Sequence, residues 1–454
     1  MRLGLTAAYA AIVLLLGSLI FATAASAAQS GPKAAPTATI AVQQLPPISS
    51  PQDNFDPLKA TNAYLAQVSG EARARSDSYF EGGYILLFVN AFYAVLVSAI
   101  LLWLHISARI RNIARGITRS RFWQVPIYVL LYMPLATAMA FPLTVYENYL
   151  REHAYGLSNQ TFVQWLGDFG KDFALTIVIL TVGLTVIYAV IRAARRTWWI
   201  WGTLVAVGFL AFGTLVGPVF IAPLFNHYQP LQEGPLKARI LSLARAEGIP
   251  ARNVYEFDAS RQTNRISANV SGLFGTTRIS LNDNLINRCT PDEVIAVFGH
   301  EMGHYVLNHA AILITWFGLL LLVGFAFVDW GFGVLANVFG GNWDVRTIDD
   351  PAGLPVITAL LSVFMLVATP VSNTITRTTE AQADIFGVNA VRQPDGFAKA
   401  VLMLSEYRKL DPTPLEEFLF YDHPSGRSRI AMMMRWKAGH LNDFDIRTGP
   451  VSPQ

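Results

Sequence analysis

Charged residues are scarce in this chain of 454 residues: Asp, Glu, Lys and Arg make up 14% of it, whereas 53% of the residues are apolar. A soluble globular protein carries about 25% charged residues, so the composition excludes that class. It also excludes intrinsic disorder, because a chain this apolar collapses. The formal net charge of +3 is too small to indicate a nucleic-acid partner. Cys289 is the single cysteine, which excludes an internal disulfide and a zinc site built from cysteines. An integral membrane protein remains.

The first 27 residues allow two interpretations. A basic start, an apolar stretch to about Phe21 and the small residues 25–27 are typical of a secretory signal peptide. The same stretch is close to the roughly 20 residues that a first transmembrane helix needs. Under either interpretation the next part of the chain is exported, so we expect residues 28–82 to form an exported, loosely structured tether.

Six apolar runs come after the tether, each of 18 residues or more and therefore long enough to cross a bilayer. They lie at about 84–105, 124–146, 173–191, 198–225, 311–337 and 354–372. The sequence thus predicts transmembrane helices within 83–225, a water-facing segment at 226–308, a transmembrane helix pair at 309–372 and a second water-facing segment at 373–454.

Arginines near the ends of the runs predict the orientation in the membrane. Loop 107–122 holds five arginines and no acidic residue, so we expect it in the cytoplasm. Loop 147–172 carries more acidic than basic residues, so we expect it outside. Counting onward places 226–308 on the outer face. Loop 340–353 fits poorly, because we expect it in the cytoplasm although three aspartates outnumber its one arginine.

A helix in the first water-facing segment carries the candidate catalytic residues. It begins with a capping box and a first-turn proline, at Thr290, Pro291 and Glu293. His300 and His304 lie one turn apart on one face, which lets two imidazoles bind one zinc ion. Glu301 lies beside that face, where it can accept a proton from the attacking water. The alternative is a pair of surface histidines flanking a carboxylate, but a chance match is expected well under about 0.01 times. His309 is expected to face away from this site.

Zinc needs a third protein ligand, and Glu380 is the best candidate. Asp384 follows one turn later and can accept the outer N–H of a ligating histidine, which fixes its tautomer. The alternative is a solvated acidic helix face. Two membrane crossings separate His304 from Glu380, and an even number returns the chain to the same face. We therefore expect one Zn²⁺ per chain, because two histidines and a glutamate suit zinc.

The combined pattern resembles the integral-membrane zinc metallopeptidases typified by the type I CAAX prenyl protease. The residues that carry the resemblance are His300-Glu301-x-x-His304, Asn373…Arg377-x-x-Glu380-x-x-x-Asp384, Pro223–Asn226, Arg278–Ile286 and His423-Pro424…Arg429. The resemblance implies a mostly α membrane protein with about seven transmembrane helices, which form a barrel around a chamber. It also implies a gluzincin-like α+β zinc peptidase domain assembled from the two polar segments. For a bacterial-type member we expect a multi-pass protein of the inner membrane, and the arginine pattern then predicts that its peptidase domain lies on the periplasmic face.

The activity that the resemblance implies is endoproteolysis, including removal of the C-terminal tripeptide from prenylated peptides. His423 and Arg429 would then provide a donor to the oxyanion or hold the substrate carboxylate. The alternative is a surface-loop histidine and a helix-surface arginine. The chain departs from the family at Thr376, where a serine is usual, and at 267–269, where Ser-Ala-Asn replaces Asn-Ala-Tyr. These changes put the prenyl preference in doubt. Residues 267–271 and 278–282 still predict a hairpin whose edge strand could bind an extended peptide.

Other functions stay open at this point. The nearest is a membrane-protein quality-control protease of the same chemistry without prenyl preference. A catalytically silent zinc-binding chaperone is a second, although the presence of Glu301 argues against it. A transporter is a third, and it is disfavoured because the sequence has no repeated halves, although Asp329 inside the fifth run is unexplained. The expected partners are the lipid bilayer and peptide or protein substrates, either prenylated or membrane-associated, and not nucleic acid.

Overall fold

The computed structural model describes residues 55–272 and 277–448. Within these residues, six helices are long and apolar enough to cross a membrane. They are Gly70–Trp103, Arg121–Ala154, Phe162–Ala193, Trp198–Leu224, His309–Trp343 and Pro351–Val391. Each of the six predicted runs coincides with one of them, which confirms a mostly helical, multi-pass membrane protein. Residues 1–27 and their two interpretations lie outside the described residues, so a seventh span stays a prediction.

Helices form almost all of the described chain up to residue 224. In order they are α1 (Pro57–Leu65), α2 (Gly70–Trp103), α3 (Ile106–Ile117), α4 (Arg121–Val145), α5 (Arg151–Ala154), α6 (Phe162–Ala193) and α7 (Trp198–Val216). A π-helical turn, Tyr146–Leu150, joins α4 to α5, and a second one, Gly217–Ile221, follows α7.

A small sheet comes next in the chain, with short helices before and after it. Its elements are β1 (Tyr228–Pro230), α8 (Pro235–Ala246), β2 (Val254–Phe257), β3 (Ala268–Ser271), β4 (Arg278–Asn282) and α9 (Asp283–Arg288). The strand order is β1-β2-β4-β3, with β2 and β4 parallel and the other pairs antiparallel. The predicted hairpin is confirmed, because Ala268 lies opposite Leu281 and Ser271 opposite Arg278. β3 is an edge strand of this sheet.

The last part of the described chain is helical again. It consists of α10 (Pro291–Val306), α11 (His309–Trp343), α12 (Leu354–Val391), α13 (Pro394–Leu404), α14 (Pro414–Phe420), α15 (Gly426–Gly439) and α16 (Phe444–Thr448). A 3₁₀ turn, Pro351–Gly353, precedes α12.

Two helices extend well beyond the apolar runs. A helix rises about 1.5 Å per residue, so the 38 residues of α12 span about 57 Å, against about 30 Å of hydrocarbon. The boundary expected at residue 372 therefore falls inside a continuous helix. Likewise, residues 57–82 form α1 and the first turns of α2 instead of the expected loose tether. Backbone hydrogen bonds do not require apolar side chains, so hydropathy does not mark the end of a helix.

α10 lies between two hydrophobic clusters. Its fully buried Ile295 and Phe298 pack with the sheet, in a cluster that includes Leu281. Its Ala296 belongs to a second cluster, formed by α1, α12, α13 and α15. The members of that cluster are Leu65, Val68, Ala296, Val388, Phe397, Ala398, Val401, Leu402, Leu410, Ile430, Met433 and Met434. Through α10, the first polar segment is packed directly against the second.

The acidic loop 340–353, which fitted the charge pattern poorly, forms ion pairs with arginines of the loop 107–122. Arg111 is only 2% exposed and contacts Asp344 at 2.5 Å and Asp350 at 2.7 Å. Arg121 contacts Asp349 at 2.6 Å. The aspartates of this loop therefore lie on the same side as the arginine-rich loop, as the count of crossings requires.

Candidate metal centre

α10 begins at the predicted position and presents two histidines on one face. The capping box is confirmed: the Thr290 side chain accepts from the backbone N–H at Glu293, and the Glu293 carboxylate accepts the Thr290 N–H at 2.9 Å. His300 and His304 follow on the same helix, and their Nε2 atoms lie 3.0 Å apart. The helix therefore presents two imidazole nitrogens to a single point.

Glycines allow α12 to approach α10 closely enough to complete the site. A Cβ atom on Gly303 would lie 2.9 Å from the Ala383 Cα, and one on Gly387 would lie 2.8 Å from the His300 backbone nitrogen. Real Cβ atoms essentially never approach other atoms this closely, so only glycine fits at these crossings. The close approach sets Glu380 and Asp384, both on α12, beside the two histidines.

Three ligand atoms converge with the spacing of a zinc site. Glu380 Oε2 lies 3.1 Å from His300 Nε2, and Glu380 Oε1 lies 3.5 Å from His304 Nε2. Ligands at 2.0–2.1 Å from a tetrahedral zinc ion are about 3.4 Å from one another. Within the described residues, Glu380 Oε2 is buried and accepts no hydrogen bond. A buried acceptor without a donor, 3.1 Å from His300 Nε2, fits a metal ion.

The charges around His300 also favour a cation between the ligands. Burial lowers the pKa of this imidazole, but the Asp384 and Glu380 carboxylates outweigh burial and raise the pKa to about 10. The negative field that would hold a proton on His300 can equally hold a divalent ion, which requires the imidazole to be neutral.

Asp384 and Arg429 form a buried layer behind His300. Asp384 is fully buried and its Oδ1 lies 2.7 Å from His300 Nδ1. Arg429 donates to both carboxylate oxygens, from Nε at 2.8 Å and from Nη2 at 2.6 Å. Burial disfavours the charged guanidinium, yet Asp384 keeps the pKa of Arg429 above its ordinary value. The interpretation of Arg429 as a helix-surface residue is wrong, since only 6% of it is exposed.

His423 also lies beside Glu380. Its Nε2 is 3.1 Å from Glu380 Oε2, and its Nδ1 is 3.0 Å from Asp422 Oδ1. Burial and the neighbouring Arg408 lower the pKa of His423, while the Glu380 and Asp422 carboxylates oppose that effect.

The loop that carries His423 is tied to α12 by two residues of the sequence motif. Asn373 donates to the Leu419 carbonyl at 2.9 Å, and Arg377 donates to the carbonyls of Glu417 at 2.8 Å and Tyr421 at 2.5 Å. These bonds attach the chain just before His423 to the helix that carries Glu380.

Glu301 lies between the two histidines in sequence and is half-buried. Burial raises the pKa of its carboxyl, while His300 and His304 oppose that effect. A carboxylate with a raised pKa is a better proton acceptor. The site thus combines a candidate set of metal ligands with a carboxyl group whose pKa is raised.

Comparison with known proteins identifies the family. Residues 230–437 match the family model of peptidase family M48, and residues 59–227 match that of the CAAX prenyl protease N-terminal region, described as five membrane helices. A Bacillus subtilis relative named uncharacterized metalloprotease YhfN is 30% identical over 341 residues, which cover 75% of this chain and 78% of the relative. The chain belongs to peptidase family M48.

Other relatives agree with that assignment. The CAAX prenyl protease 1 of Saccharomyces cerevisiae is 28% identical over 67% of this chain and 70% of its own. The crystal structure of Ste24p from S. mikatae has a TM-score of 0.62 at 21% identity, covering 94% of this chain and 97% of that one. Its likeness shows a shared fold. As a member of family M48, the protein is a membrane metallopeptidase, and the family implies a metal cofactor at this site.

The structure places His309 against His304, a candidate metal ligand, so the expectation that it faces away is wrong. That expectation assumes a continuous helix, but α10 ends at Val306 and Asn308 adopts a left-handed conformation with φ of 53°. The chain turns back there, and His309 Nδ1 comes to 3.0 Å from His304 Nδ1.

Sequence reasoning missed the close-packing glycines as well as His309. The repeat Gly299-x-x-x-Gly303 was a usable signal, since small residues four apart mark a close helix contact. The unexplained Asp329 also has a partner, because Trp198 donates its indole N–H to that carboxylate at 2.6 Å.

Proposed function

We propose that this M48 metallopeptidase is a membrane-embedded zinc endopeptidase of the CAAX prenyl protease type, which removes a C-terminal tripeptide from prenylated peptides. The observation that carries the proposal is the convergence of His300, His304 and Glu380 beside Glu301. A catalytically silent zinc protein has no use for a carboxylate at the position of Glu301.

His300, His304 and Glu380 would hold the metal, for which we propose one Zn²⁺ per chain. When bound, zinc supplies a Lewis acid that polarises a carbonyl and lowers the pKa of water to about 7. The donor set of two imidazoles and one carboxylate is the set that suits catalytic zinc.

The remaining residues act on protons and orientation. Glu301 accepts a proton from the attacking water and passes it to the nitrogen of the leaving amine. Asp384 holds the proton of His300 on Nδ1, so that the Nε2 lone pair faces the ligand point. Arg429 holds Asp384 in place, because both of its bonds to that carboxylate are already made. His423 is free of that layer and is our candidate donor to the oxyanion.

The substrate peptide would bind along β3. This edge strand packs beside α10 and offers unpaired backbone groups to an extended chain. Binding by strand addition leaves the side-chain preference to the neighbouring surface. Binding along β3 does not by itself select prenylated peptides, so we propose the prenyl preference in addition to it. The alternative is a quality-control protease that cuts membrane proteins without prenyl groups.

For the architecture, we propose about seven transmembrane helices forming a barrel around a chamber. The gluzincin-like α+β domain combines the two polar segments, which is supported by the clusters that share α10. We place the protein in a bacterial inner membrane, with this domain on the periplasmic face. A reporter fused after Pro230 is expected to be active only if it functions outside the cytoplasm, and cytoplasmic activity would refute the orientation.

The decisive experiment compares cleavage of a prenylated peptide with cleavage of its unprenylated twin. We expect zinc-dependent cleavage, with the prenylated peptide preferred. Glu301→Gln should keep the metal and lose about 10²–10⁴-fold in turnover, whereas His300→Ala should lose both. Equal cleavage of the twins favours the quality-control alternative, and full activity of Glu301→Gln would refute the mechanism.

A further inference from the structure

His309 and Gln382 extend outward from His304 as a chain of two hydrogen bonds. His309 is 1% exposed and its Nδ1 lies 3.0 Å from His304 Nδ1. On its other side, His309 Nε2 lies 3.1 Å from Gln382 Oε1. Gln382 is exposed on α12, so the chain runs from the ligand point to the surface.

The Gln382 amide oxygen determines which atom donates in each of the two hydrogen bonds. The amide oxygen of Gln382 can only accept, so His309 must carry its proton on Nε2. A neutral imidazole then has a lone pair on Nδ1, which accepts a hydrogen bond from the Nδ1–H of His304. His304 is thereby left with its lone pair on Nε2, the atom that faces Glu380 and His300.

We propose that His309, set by Gln382, is a positioning residue that fixes the tautomer and orientation of His304 for metal binding. The proposal rests on the zinc site proposed above and adds to it a partner for the second histidine. The two ligating histidines then differ, because His300 donates to a carboxylate and His304 to a neutral imidazole. A carboxylate partner raises the basicity of its histidine, so His304 is the weaker of the two ligands.

The backbone conformation of Asn308 brings His309 back to His304. Its left-handed φ of 53° interrupts the helix one residue before His309, which a direct continuation of α10 would carry away from His304. Asparagine tolerates this conformation better than most residues. The turn at Asn308 therefore has two effects. It places the His309 side chain against His304, and it sets the direction in which α11 begins.

Zinc affinity of the full-length protein in detergent, measured by competition with a chromophoric chelator, tests the proposal. His309→Leu keeps the size but removes the acceptor, and we expect zinc to bind about 10–100-fold more weakly. His309→Asn places Oδ1 where Nδ1 lies and should restore affinity to within a few-fold of wild type. Gln382→Leu should fall between these two, because water can replace an exposed amide.

A histidine elsewhere supplies the control. His153 has both ring nitrogens within 2.7 Å of backbone carbonyls, those of Tyr149 and Gln160, so His153→Leu removes a comparable pair of contacts away from the ligands. We expect its zinc affinity to match wild type. Unfolding of each variant with the metal chelated shows whether the fold is kept.

Two results would overturn the proposal. One is wild-type zinc affinity in His309→Leu. The other is an equal loss in His309→Leu and His309→Asn, which would mean that packing and not the acceptor matters. Failure of the wild-type protein itself to bind zinc would instead refute the proposed function, so the two failures are distinguishable.

Discussion

Replacing Gly387 with alanine should separate the two helices that carry the proposed metal ligands. The new Cβ would lie 2.8 Å from both the Gly299 carbonyl carbon and the His300 nitrogen, whereas ordinary contact begins at 3.4 Å. All of these are backbone atoms, so no side chain can rotate away. The helices must therefore part by about 0.6 Å.

This displacement is large for a metal site. Ligand distances in such sites are held within about 0.2 Å, and Glu380 and His300 stand on opposite sides of the gap. Their oxygen–nitrogen distance of 3.1 Å should grow by about as much as the helices part. We expect zinc affinity to fall by about 10–100-fold, and the free energy of unfolding by about 1–3 kcal/mol.

A second glycine provides the matched control. Gly333 lies in the middle of α11, and among the described residues a Cβ there would meet no atom within 4 Å. Gly333→Ala should keep zinc affinity and lose no stability, since alanine is favoured over glycine in a helix by about 0.5–1 kcal/mol. Chelator competition and thermal unfolding of both variants provide the measurement. If Gly387→Ala bound zinc as tightly as Gly333→Ala, the close approach would not be what assembles the site.

Two further predictions concern buried groups. Arg429→Met leaves the fully buried Asp384 without its cation, which should destabilise the chelated protein by about 3–5 kcal/mol; an unchanged unfolding midpoint would contradict this. Burial raises the pKa of the Cys289 thiol to about 12, so only about one molecule in 10,000 carries the thiolate at pH 8. A maleimide should therefore label the native protein far more slowly than the denatured protein, and equal labelling rates would show the thiol to be accessible.

Local signals explain why part of the site could be predicted from the sequence. The start of α10 depends on Thr290, Pro291 and Glu293, which are neighbours in the chain, and the same holds for the one-turn spacing of the two histidines. The six spans follow from apolar runs that no soluble fold would carry. The meeting of Glu380 with His304 could be predicted because it depends only on counting membrane crossings.

The features that could not be predicted depend on backbone geometry and on partners distant in the chain. The position of His309 turns on one residue, Asn308, in a conformation that no periodicity encodes. The resemblance implies that Arg429 donates to the oxyanion or holds the substrate carboxylate. Its contact with Asp384 could not be predicted, because it brings together residues 45 positions apart. Residues 57–65 are capped by the Asp56 side chain and pack against α15, and their apolar content indicates neither feature.

The placement of α1 bears on which membrane face carries the metal centre. Leu65 and Val68 share a cluster with α13 and α15, so the start of α2 lies on the same face as the peptidase segments. The opposite face then holds the loops around α3, the turn after α6 and the loop before α12. These loops, with α3 and the helix ends beside them, contain nine arginines against three aspartates, an excess that survives the pairing of Asp344, Asp349 and Asp350.

An arginine excess of this kind marks the cytoplasmic side, so we infer that the metal centre faces away from the cytoplasm. Prenylated proteins sit on the cytoplasmic leaflet and would be out of its reach unless the chamber admits them from that side. The orientation assay and the twin-peptide assay are therefore linked. An exported metal centre together with equal cleavage of both peptides would select the quality-control function, whereas a strong prenyl preference would require a route for the substrate through the helices.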